Sequence, residues 1–167
     1  VFTFVYGQDL EDFPDFIKRY DVLVTYNGKA FDVPFLEKTL GINIPHPNID
    51  LMYPLRNLGY KGGLKKCEKS LGINRKNVDG IDGLFAIFLW KEFQETYNKN
   101  ALETLIAYNV EDAINLEKIM VMVYNKMVDQ LPNISIKKLK VPGKPNNPYQ
   151  VDSKVVDMIN EKYYNFY

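Results

Sequence analysis

A single cysteine, Cys67, leaves this chain no partner for an internal disulfide and no thiol cluster for a structural zinc. Histidine is as scarce: His46 stands alone between Pro45 and Pro47, with nothing to pair it with a nucleophile, and reads as a loop residue. An excess of either charge is missing too. Twenty-one basic residues balance 21 acidic ones, so no global field draws the chain to nucleic acid or membranes, and a polyanion must be held by a local patch. The most apolar run, residues 84–90, is seven long, far short of the ~20 needed to cross a bilayer. No P-loop, dinucleotide fingerprint or HExxH sequence occurs. With no secretory signal, the lone thiol leads to the expectation of a reducing, cytoplasmic setting.

What is present fits a globular domain with a real core: 167 residues, 46% hydrophobic and 25% charged. Residues 1–6 (VFTFVY) read as a strand rich in β-branched and aromatic side chains. Residues 9–20 place Leu10, Phe13, Phe16, Ile17 and Tyr20 at helical spacing. Residues 22–26 are a short apolar run of the kind buried on both faces of a sheet. A short helix follows at 33–40, with Pro34 in its first turn, then a strand at 48–52. Helices are expected at 63–71, 81–97 and 101–127. Strands spaced by helices argue an α/β fold with a mostly covered sheet.

EKTLGIN and EKSLGIN, at 37–43 and 68–74, look like a repeat, but the likeness stops there. Both read as one kind of helix stop, with Gly41 and Gly72 left-handed and Ile42 and Ile73 closing back on the last turn. After Pro132 the character changes. Residues 134–141 (ISIKKLKV) alternate apolar and lysine residues like a protected edge strand, 142–148 form a proline-rich loop, and 151–164 a final helix. Its end, YYNFY, reads as a packing element, with a stacking platform for single-stranded bases as the alternative.

Asn27 and Asp32, in TYNGKAFDVPFLEKTLG (25–41), have a plain structural reading: a turn at Asn27-Gly28 and an aspartate N-cap. A functional reading needs a second acid to share a metal ion. YNVED (108–112) offers one, since Tyr108 and Asp112 are one helical turn apart on the same face. Glu111 points about 100° away and reads as solvated. Asp50 reads as a strand-end acid paired with Arg56 or a backbone amide. Trp90 with Phe85, Phe88 and Phe93 reads as core.

Asn-x-x-x-Phe-Asp after an apolar strand, then Tyr-x-x-x-Asp in a late helix, resemble motifs II and III of the DEDD exonucleases in their DEDDy branch. Together with NIDLMYPLR, GGLKKCEKSLGI and YNVEDAINL, the wording is similar to the YprB-type ribonuclease-H-like exonuclease domain over residues 1–127. The resemblance implies an α/β ribonuclease-H-like mixed sheet flanked by helices, in residues 1–131, with 132–167 as a C-terminal extension. It implies metal-dependent 3′–5′ exonuclease action on 3′ ends of DNA or RNA, with Mg²⁺ or Mn²⁺ as cofactor. Asp32 and Asp112 would hold the metal, Tyr108 would orient the attacking water, Asn27 would steady the loop or the nucleic-acid end, and Phe31 would pack the loop that aims Asp32.

The family's first motif, Asp-x-Glu on the first strand, is not matched. Asp9-Leu10-Glu11 lies only 18 residues before Asn27 and fits the opening turn of a helix. The expectation is that the first strands precede Val1, and that this chain alone binds metal poorly and cuts nothing. The rival is a non-catalytic nucleic-acid- or partner-binding module of the same fold. For substrate contact, Lys61, Lys65, Lys66, Lys69, Arg75 and Lys76 face one acid, Glu68, and Gly62-Gly63 open a helix whose N–H groups could meet phosphate; an ordinary lysine-coated helix is the alternative. Lys137, Lys138, Lys140 and Lys144 form a second basic group, explained mostly by edge-strand protection.

Overall fold

Two short strands separated by one helix make the sheet. Leu23–Thr25 (β1) and Asn48–Asp50 (β2) pair in parallel, with Leu23 opposite Asn48 and Thr25 opposite Asp50. Parallel neighbours require a crossover, which Asp32–Leu40 (α2) supplies. The computed structural model describes residues 1–75, 78, 81–133 and 135–164. The expected roles of Lys76, of Ile134 and of the last three residues of YYNFY fall outside these. The α/β class read from the sequence is the one observed.

The chain divides into two compact units. One holds Phe2–Ile73 and Asn115–Lys144. It contains the sheet and α2, with Phe13–Ile17 (α1), Met52–Asn57 (α3), Leu64–Ser70 (α4) and Leu116–Asp129 (α7). Leu51, Leu55, Cys67, Ile73, Ile119 and Val123 form its core. The other unit, Asn74–Ile114 and Pro145–Tyr167 together with Val1, contains Gly83–Thr96 (α5), Lys99–Ile114 (α6) and Ser153–Tyr163 (α8). Phe85, Leu89, Ala101, Leu105, Tyr108, Val155 and Ile159 lie in its core. Phe88 and Trp90 pack against that core, as the helical spacing of the aromatics predicts.

The two glycine stops form as expected. Gly41 and Gly72 have φ of 63° and 74°, and the amides of Ile42 and Ile73 donate to Glu37 and Glu68 carbonyls at 3.1 and 2.9 Å. The final helix also forms, and Tyr163 stacks on Phe88 with ring centres 4.3 Å apart.

Several expectations fail for tertiary reasons. Residues 2–6 form no strand: Phe2 and Phe4 pack their rings on Phe16, and the Val5 carbonyl accepts three amides in a turn. Residues 135–141 are irregular as well, because their partner is a side chain. Asn125 brackets Leu139, donating to its carbonyl and accepting from its amide, both at 2.8 Å. β1 is half-buried rather than covered on both faces. The helix expected over 101–127 is two helices, α6 and α7, separated at Asn115. Asn115 is fully buried at this junction, and its amide donates to the buried Glu68 carboxylate at 2.8 Å. The Met52–Asn57 helix has no counterpart in the sequence reading.

Candidate active site

Asn27 follows the end of β1 with φ of 62°, a left-handed conformation that asparagine tolerates better than most residues. Gly28 comes next because nothing larger fits: an added Cβ would lie 2.5 Å from the Thr25 Cβ. The turn is held from below by Asp50. Its carboxylate accepts the backbone amides of Asn27 at 2.7 Å, Lys29 at 3.1 Å and Met52 at 3.1 Å. Asp50 is buried, so these charge-assisted bonds carry its solvation. The backbone-amide pairing read for Asp50 is thus the one found, and Asn27 is held through its backbone.

Asp32 opens α2 as its first helical residue and is exposed. It is not the N-cap: Phe31 takes that position, and no side chain caps the helix. The turn from Asn27 supplies backbone acceptors instead, with Val33 N–H donating to the Gly28 carbonyl at 2.9 Å. Phe31 does not pack the loop either, being 68% exposed. Asp9-Leu10-Glu11 lies at a short 3-10 turn, where Asp9 accepts the Val5 amide at 2.6 Å, in keeping with a helix start.

Tyr26, just before Asn27, ties this turn to the lysine segment. Its hydroxyl donates to the Gly62 carbonyl at 2.6 Å and lies 3.8 Å from the Cys67 thiol. Burial first, and then the bond with Cys67, push its phenol up to about 12. Around Gly62, Lys61, Lys66 and Lys69 are exposed and Lys65 is half-buried. The helix that carries Lys65, Lys66 and Lys69, α4, has Gly63 as its N-cap and no capping side chain.

In the other unit, the Asn98 side chain accepts from the Asn100 and Ala101 amides at 3.1 and 3.4 Å, opening α6. Ala101, Thr104, Leu105 and Tyr108 then recur on its buried stripe. Three residues beyond Tyr108, Glu111 falls on the same stripe and is fully buried, so its reading as a solvated side chain is wrong. Asp112 sits at the edge of the stripe with its side chain 35% exposed.

Arg75 meets both residues of the Tyr-x-x-x-Asp pair. Its guanidinium hydrogen-bonds Asp112 Oδ1 in an ion pair and lies over the Tyr108 ring, 5.8 Å from the centroid. Arg75 is buried, which removes it from the lysine patch in which charge counting places it. The sequence holds one signal of this. Arginine among lysines suits a planar, stacked, bidentate site in a way lysine does not.

The carboxylates of Asp32 and Asp112 are hard oxygen donors, and both are open to solvent in part or wholly, so they suit Mg²⁺ or Mn²⁺ in kind. Among the described residues, no group of three His, Cys, Asp or Glu side chains converges as a metal site. None of the described helices is long and apolar enough to cross a membrane.

Comparison with curated proteins and with solved structures gives no match. A family model described as the RNase_H superfamily matches residues 6–124, which include the Asn27 turn, Asp32, the lysine segment, Tyr108 and Asp112. With most of its length inside that match, the chain belongs to the RNase_H superfamily.

Proposed function

We propose that the protein is a metal-dependent 3′–5′ exonuclease of the DEDDy type, similar to YprB-type domains and acting on 3′ ends of DNA or RNA. The observation that supports this best is the pairing of Tyr108 with Asp112 on one edge of α6, engaged together by Arg75. In chain order it follows an Asn27–Asp32 turn of the matching pattern, within the stretch that fits the superfamily. Asp32 and Asp112 are the acids this chain contributes toward Mg²⁺ or Mn²⁺. When bound, such an ion supplies positive charge at the scissile phosphate and lowers the pKa of its water.

The chain's own groups have distinct tasks in this reading. Asp112 keeps its side chain partly exposed while Ala101, Leu105 and Tyr108 anchor α6 in the core. Tyr108, with its ring buried, offers a fixed phenol to orient the attacking water. Asn27 steadies the turn ahead of Asp32 through its bond to Asp50. Lys61, Lys65, Lys66 and Lys69 meet the phosphate backbone as point charges.

A second reading has its own support: a nucleic-acid- or partner-binding module without catalysis. Asp112 is already neutralised by Arg75, and no three-residue metal group converges among the described residues. Trimming of a 3′-labelled oligonucleotide by the full-length protein in Mn²⁺ separates the two. The exonuclease reading expects Mn²⁺-dependent shortening that Asp112→Ala abolishes. Shortening that survives Asp112→Ala removes the site assignment, and none by the unsubstituted protein favours the binding module.

A further inference from the structure

Arg75 has no place in the chemistry described so far, yet it contacts both residues of the α6 pair. Its side chain is 9% exposed against 35% for Asp112, so the guanidinium is set inside and the carboxylate at the rim. One nitrogen gives a charge-assisted hydrogen bond to Asp112, and the guanidinium carbon lies over the Tyr108 ring, 5.8 Å from its centroid. The contact leaves Asp112 with a defined direction and already supplied with a positive charge.

We propose that Arg75 is a positioning residue that sets Asp112 and Tyr108 in register and competes with a divalent cation for the Asp112 carboxylate. The inference rests on the exonuclease reading above, because only there does Asp112 take a metal. The competition follows from charge. A guanidinium at hydrogen-bond distance lowers the negative potential at Asp112, and a divalent ion brought to the same carboxylate meets a cation beside it. Positioning follows from shape: arginine is a rigid plane that can hold an acid at its edge and a ring on its face at once, which lysine cannot do. Arg75 therefore acts in opposite senses on the two properties of the site, weakening its hold on metal and improving its geometry.

That opposition is what the experiment reads. Mn²⁺ affinity of the full-length protein is measured by calorimetric titration, alongside kcat for trimming a 3′-labelled strand. Arg75→Gln is expected to tighten Mn²⁺ about tenfold as the neighbouring charge is lost, while kcat falls. Arg75→Lys, which keeps the charge, is expected to hold Mn²⁺ like the unsubstituted protein but to share the fall in kcat. In an Asp112→Asn background, Arg75→Gln is expected to change Mn²⁺ affinity no further. Unchanged or weakened Mn²⁺ binding in Arg75→Gln overturns the proposal while leaving the exonuclease reading standing. Absence of Mn²⁺ binding by both proteins overturns the exonuclease reading, and the proposal with it.

A measurement on the unsubstituted protein covers the case in which Arg75→Gln does not fold. A dicarbonyl arginine reagent with peptide mapping is expected to label Arg75 faster in saturating Mn²⁺ than without metal, because the ion loosens its bond to Asp112. Equal labelling in the two conditions, with Mn²⁺ shown to be bound, overturns the competition.

Discussion

Two aspartates that look alike in sequence do different work. Asp50 is buried and accepts three backbone amides, so it builds the turn that carries Asn27. Asp32 is exposed and opens a helix without capping it. Asp50→Ala is expected to cost about 3 kcal/mol in denaturant unfolding, since three backbone donors lose a charged acceptor. Asp32→Ala is expected to cost about 1 kcal/mol or less, the scale of a first-turn acid against the helix dipole, and to abolish Mn²⁺-dependent trimming if the proposed role is right. A large stability loss for Asp32→Ala would contradict its description as an exposed acid that caps nothing. Gly28 belongs to the same turn. Gly28→Ala forces a Cβ to within 2.5 Å of the Thr25 Cβ, and a loss of about 2 kcal/mol is expected.

Among the elements, α5 and α8 are joined by a charged contact as well as by packing. The Lys162 ammonium bonds the buried Glu92 carboxylate at 2.8 Å, and Thr96 donates to the same carboxylate at 3.0 Å. The bond from Lys162 holds Glu92 below the usual carboxylate range, and the same contact raises Lys162. A depressed carboxylate stabilises the fold above its unfolded value, near 4.5, and that contribution is lost as pH falls through the lowered folded value. Lys162 is 42% exposed, so solvent screens the pair, and Lys162→Ala is expected to cost only about 1 kcal/mol at pH 7. The difference between the two proteins should shrink between pH 5 and pH 3 in thermal unfolding (about the range in which the acid takes up its proton). A difference that stays constant to pH 3 would show that the ion pair contributes nothing.

At the scale of the whole molecule, a formal charge of zero makes any hold on nucleic acid a local matter. The four lysines at 61, 65, 66 and 69 are the proposed phosphate ligands. Replacing all four with glutamine is expected to weaken binding of a single-stranded oligonucleotide evenly across sequences. It should also flatten the dependence of log K on log salt, by about 0.7 for each phosphate that is no longer neutralised. An unchanged slope in fluorescence anisotropy at several salt concentrations would remove the patch from the interface. The buried Arg75, close to these lysines in sequence, should contribute nothing to that slope.

Much of this was legible in the chain because it depends on neighbours a few residues away. The glycine stops at Gly41 and Gly72, the turn at Asn27-Gly28, the aromatic stripe of α5 and the strand–helix–strand order all follow from spacing, chirality and turn chemistry. So does the placement of Tyr108 and Asp112 on one edge of α6. Tertiary structure decided what these elements meet. It denied residues 2–6 a strand by giving Phe2 and Phe4 a ring cluster, and it brought the buried Asn115, between α6 and α7, to Glu68. It also buried Glu111 and brought Arg75 to Asp112 from 37 residues away. Hydrogen bonds and ion pairs of that kind depend on where the folded backbone carries each side chain, and local periodicity holds no record of that path.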